Sequence, residues 1–188
     1  MPRTCLKNWT FVIAASLMSV AATYAKAQNT NLCGSTPDVD DFVGTFSFDI
    51  GSAILTDGST IVPLDANNTF SATFFALDGE LVLSADPTEI PFVIAGDDEP
   101  DWVFDPQADL NISSSDLELV VGCEISDLPR LVGTSTTASA EGTEIVYTYR
   151  LIAWGMSPDE GVTNMLGSLK WSGGGVEMSR VVTLTRSE

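Results

Sequence analysis

The sequence predicts an all-β fold, a single antiparallel meander closed into a barrel, with a β-sandwich as the alternative. Three observations carry that reading. Short β-branched and aromatic runs recur roughly every ten residues between Gly, Asp, Asn and Ser, while apolar residues at helical spacing are scarce. The last third of the chain reads as long alternating strands separated only by turn residues, which makes neighbours antiparallel. Glycine also falls inside strand-like runs, at Gly44, Gly133 and Gly167, where it marks a bend or a close backbone approach. Bent long strands favour the barrel over the sandwich.

The elements follow in chain order. Residues 1–27 read as a cleaved secretory signal peptide. Arg3 and Lys7 are its basic start, an apolar run extends from Phe11 to Ala22, and Ala25-Lys26-Ala27 is a small-x-small cleavage site. That run is too short for the roughly 20 residues of a spanning helix, so no membrane insertion is expected after cleavage. Residues 28–188 then form one β domain, secreted or periplasmic.

The first strand covers residues 42–50, with Phe42, Gly44, Phe46, Phe48 and Ile50 on one face. Strands over 69–77 and 80–84 flank Asp78-Gly79, a pair suited to a two-residue hairpin whose turn positions both need positive φ. Further strands are predicted at 91–95, 101–104, 110–112 and 117–123. The regular C-terminal part supplies 130–138, 143–154, 164–171 and 176–185. Glu141-Gly142, the run from Ser157 to Gly161, and the glycines Gly173 to Gly175 connect them.

Charge and cysteine content narrow the function. The formal charge is −18, from 26 acidic against eight basic residues, and the leader would remove three of the basic ones. Such a field repels polyanions, so nucleic acid is not an expected partner. Two cysteines remain after cleavage, Cys33 and Cys123, and in an oxidising compartment they are expected to form one disulfide. No histidine occurs anywhere, which removes Ser-His-Asp and Cys-His catalysis and the ordinary zinc sites. Ser168 and Lys170 share a strand face, but two residues at that spacing do not make a dyad. No enzyme activity is expected.

The segment Asp40-Asp41-Phe42-Val43-Gly44-Thr45-Phe46 resembles the opening of lipocalin-like (calycin) barrels, in which a short helical turn leads into a Gly-x-Trp strand. Phe46 stands where that family has tryptophan. The resemblance implies a cup-shaped barrel around a small apolar ligand. It also implies an arginine of the last strand packed on that aromatic, a position that Arg180 or Arg186 can match.

The leading expectation is therefore an exported acidic barrel that carries or senses a small apolar molecule, with Phe46, Phe48, Tyr147, Tyr149 and Trp154 as ligand-binding candidates. The competing reading of those aromatics is core packing. In the strand 143–154, Tyr147 and Tyr149 fall on one face and Trp154 on the other, and the sequence leaves open which is inside. The second expectation is an extracellular structural or protein- or glycan-interaction module, stabilised by calcium in one version. Asp97, Asp98, Glu99 and Asp101 form the densest acidic group and are its candidate ligands, against a solvated loop as the alternative. No other cofactor is expected.

Overall fold

The computed structural model describes residues 32–65, 68–85, 88–95 and 113–187. The leader, the acids Asp97, Asp98, Glu99 and Asp101, and the strands expected at 101–104 and 110–112 lie outside those residues. The fold is all-β. A short helix α1 (Val39–Phe42) precedes nine strands: β1 (Gly44–Thr56), β2 (Ile61–Leu64), β3 (Asn68–Leu77), β4 (Glu80–Ala85), β5 (Thr88–Ala95), β6 (Arg130–Ala138), β7 (Glu144–Ser157), β8 (Gly161–Gly173) and β9 (Val176–Arg186). Among the described residues a further helix, α2 (Ser114–Val121), lies between β5 and β6.

Every pairing is antiparallel, and β1 pairs with β9 to close eight strands into a meander barrel; β2 is an extra strand beside the far end of β1. Alternation puts the core inside. Phe46, Phe48, Phe74, Leu83, Leu131, Leu151 and Leu184 are fully buried on the inward face. The Asp78-Gly79 hairpin forms as the sequence predicts, with φ of 54° and 88° at its two positions. The in-strand glycines mark close approaches: a Cβ at Gly133 would meet the Phe92 ring, and one at Gly167 would meet the Arg150 carbonyl.

The segment 117–123, expected as a strand, is instead the end of α2. Ser113 caps the helix by accepting a hydrogen bond from the Asp116 N–H, and Gly122 ends it at φ 83°. Those two signals outweigh the β-branched Val120 and Val121. Leu117 and Val121, four residues apart, bury against the core while Leu119 and Val120 face solvent. The disulfide Cys33–Cys123, with 6.1 Å between the Cα atoms, ties this connection to the segment before α1. β2 is also absent from the sequence reading, since its Pro63 and four-residue length give little strand signal.

Candidate functional site

One end of the barrel is sealed. Helix α1 packs Phe42, wholly buried, across it, and Arg186 closes the seam. The Arg186 guanidinium donates to the carbonyls of Val162 (2.7 Å), Val43 (2.7 Å) and Asp41 (3.1 Å). It also lies 4.8 Å from the centre of the Phe46 ring. This is the arginine-on-aromatic contact that the calycin resemblance implies, made by Arg186 and not by Arg180. Burial lowers the Arg186 pKa and Glu160 works against that shift.

Above the seal the barrel is filled. Phe46 packs edge-on to Phe74 at 5.6 Å, Phe74 to Phe92 at 5.3 Å, and Phe92 reaches Tyr149 at 5.9 Å. Phe48 stacks on Phe70 at 5.0 Å. Three of the candidate residues, Phe46, Phe48 and Tyr149, thus meet in one aromatic cluster. Burial, with a smaller contribution from Tyr147, pushes the Tyr149 phenol above its usual pKa. Tyr147 lies one step further along the same inward face. Trp154 belongs to the opposite alternation, beside an irregularity in the β7–β8 register, and is not brought to the cluster.

The other end is open, for a reason visible in the register. Among the described residues the last β1–β3 pair is Ile50↔Asn68 and the last β5–β6 pair toward this end is Phe92↔Gly133. Past those residues β6, β7, β8, β9, β1 and β2 continue as one sheet, with partly exposed residues on both of its faces. Its inner face carries the row Ser135, Tyr147, Trp171, Met178 and Leu55, each in register with the next. All five are only partly buried, whereas in the next row toward the seal Gly133, Tyr149, Leu169 and Ala53 are buried and Arg180 alone is half-buried. The inner row is the rim of a shallow cup over a solid floor.

Arg180 belongs to the floor row between Leu169 and Ala53, and its Nε donates to Met178 Sδ at 3.3 Å. Sequence reasoning did not single out Leu55 or Met178, and Trp171 was not among its ligand-binding candidates. Alternation within β9 puts Met178, Arg180, Val182 and Leu184 on one face, and only the pairing shows where that face opens. Ser168, expected to share a face with Lys170, is wholly buried and lies away from the cup. Among the described residues no group of His, Cys, Asp and Glu is arranged to hold a metal. No described helix is long and apolar enough to cross a membrane.

Fold and site together define an antiparallel eight-strand barrel with one added strand, sealed at one end and cupped at the other, consistent with a lipocalin-like architecture. No protein family, curated protein or solved structure matches the chain.

Proposed function

We propose that this protein is an exported lipocalin-like barrel that binds a small, largely apolar molecule in the cup. The observation that carries the reading is the change from buried to partly exposed along one inward face. Tyr147, Trp171, Met178 and Leu55 present aromatic, thioether and aliphatic surface at an open mouth, above residues that are already packed. Apolar surface held half-open by long strands is recovered when a ligand covers it. The disulfide supports an oxidising location and so the exported part of the reading.

The test is titration with N-phenyl-1-naphthylamine, a neutral apolar fluorophore. Saturable, blue-shifted emission is expected, with quenching of tryptophan fluorescence as Trp171 is covered. Tyr147→Ser and Met178→Glu should each weaken binding by about tenfold or more, the effect of losing one well-buried contact. Non-saturable binding, or affinity unchanged in folded forms of both variants, overturns the proposal.

A further inference from the structure

A fork between β5 and β6 leaves one stretch of sheet edge unpaired. β5 stays on β4 as far as Ala85↔Thr88, yet its pairing with β6 ends at Phe92↔Gly133. Among the described residues, those that would continue the second ladder, from Pro91 back to Thr88, pair only with β4. Pro91 accounts for the parting: it has no N–H to give, and within sheets proline is confined to free edges. On β6, residues 134–138 remain paired with β7, from Thr134↔Thr148 to Ala138↔Glu144. No described strand lies against their other side. In an antiparallel ladder every second residue turns its N–H and C=O away from a given neighbour, so this edge offers a row of backbone donors and acceptors.

We propose that this edge takes up an extended, basic peptide segment of another protein as an added strand. Strand addition draws its affinity from main-chain hydrogen bonds and its selectivity from alternate side chains. Sheets usually guard an edge with charge, proline or short length. Here Thr134, Ser135, Thr136, Thr137 and Ala138 include no charge and no proline, on a chain with 26 acidic and eight basic residues. The outermost strand of the same sheet, β2, is by contrast four residues long and interrupted by Pro63. Thr134, Thr136, Thr137 and Ala138 are exposed, and threonine suits cross-strand pairs. A strand laid along β6 extends the row of Ser135 and Tyr147 by one place, so alternate side chains reach the cup rim. The backbone pairing itself does not depend on what the cup holds.

Charge selects a basic occupant. Glu144 opposes Ala138, Glu141 lies in the turn beyond it, and Glu89 stands on the departing arm of β5; all three are exposed. The basic residues of this sheet are set back. Arg130 and Arg150 lie toward the sealed end, the second opposite Val132, and Lys170 is two strands away from Thr134. A second copy of the chain is the less suited partner. It would bring the same acids and a formal charge of −18 to the same edge. A ladder along residues 134–138 also falls far short of the roughly 20–30 residues a side of a stable interface.

Fluorescence anisotropy of the full chain with dye-labelled Lys-Thr-Val-Thr-Val-Thr-Lys tests this, with amide hydrogen exchange followed by NMR on the same mixture. The probe is expected to bind saturably and to slow exchange at alternate amides within residues 134–138. The same peptide N-methylated at every residue between its lysines keeps the charge and loses the hydrogen bonds, and should bind about tenfold more weakly or worse. An analogue ended by glutamates should also bind more weakly. Thr136→Lys, at an exposed position, should weaken the probe several-fold by setting a like charge on the edge. Equal affinity for the N-methylated peptide or the glutamate-ended one, or protection confined to other segments, overturns the proposal. A concentration-dependent dimer in sedimentation that protects the same amides without probe overturns it in favour of a second copy.

Discussion

Arg186 joins three pieces of chain through one side chain: the end of α1, the start of β1 and the start of β8 all give it a carbonyl. Gly44 leaves it the room, because a Cβ there would collide with the guanidinium. Arg186→Met should lower the unfolding free energy by roughly 2–4 kcal/mol, as three carbonyls lose a charged donor at once. Urea denaturation reads this as a lower midpoint at unchanged slope. Arg186→Lys should recover less than half of the loss, since an ammonium cannot span the same fork. At this scale the sequence was partly legible. The Phe46 motif implied an arginine partner, but Arg180 and Arg186 share a face and local pattern could not choose between them.

Among the elements, the turn from β1 to β2 is held by Asp57, whose carboxylate accepts from the Ser59 N–H and hydroxyl and from the Thr60 N–H. Those bonds lower its pKa from 3.8 to about 2. A depressed carboxylate contributes stability that is fully present above its unfolded pKa and is lost as pH falls through the folded one. The turn should therefore hold above about pH 4 and loosen as the pH approaches about 2. Carboxylate-carbon NMR should show an Asp57 midpoint near that lower value; a midpoint near 4 would mean the turn is not ordered in solution. Strands were read well wherever alternation ran for six residues or more, as in β3, β6 and β9. Residues 117–123 were misread because Val120 and Val121 suit both structures, and the deciding signals, Ser113 and Gly122, lie at the ends of the helix. The cup and the free edge of β6 left no local signal, since both arise where strands separated in sequence cease to pair.

For the molecule as a whole, the disulfide spans 90 residues and fastens the segment before the barrel to the long β5–β6 connection. Chain entropy credits a loop of that size with about 4–5 kcal/mol. The double variant Cys33→Ser, Cys123→Ser should lose a comparable amount in chemical denaturation, and reduction of the parent protein should reproduce the shift. Retention of full stability under reduction would show that the bridge constrains nothing the core does not already fix. This link was readable from the two cysteines and the oxidising location expected of the chain; its place in the fold was not.

The register that closes the barrel also sets an order in time. Phe46 lies opposite Arg186, so the Gly44–Ile50 half of the first strand, paired on one side with β3, acquires its second neighbour only when the last strand has been made. Hairpins β6–β7, β7–β8 and β8–β9 form from neighbouring segments, whereas the β1–β9 seam joins the most distant ones. Loop closure over that distance is slow compared with hairpin formation. Until it happens, β1 carries Phe46 and Phe48 along an open edge, the kind of exposed apolar strand that chaperones shield and that aggregates when they do not.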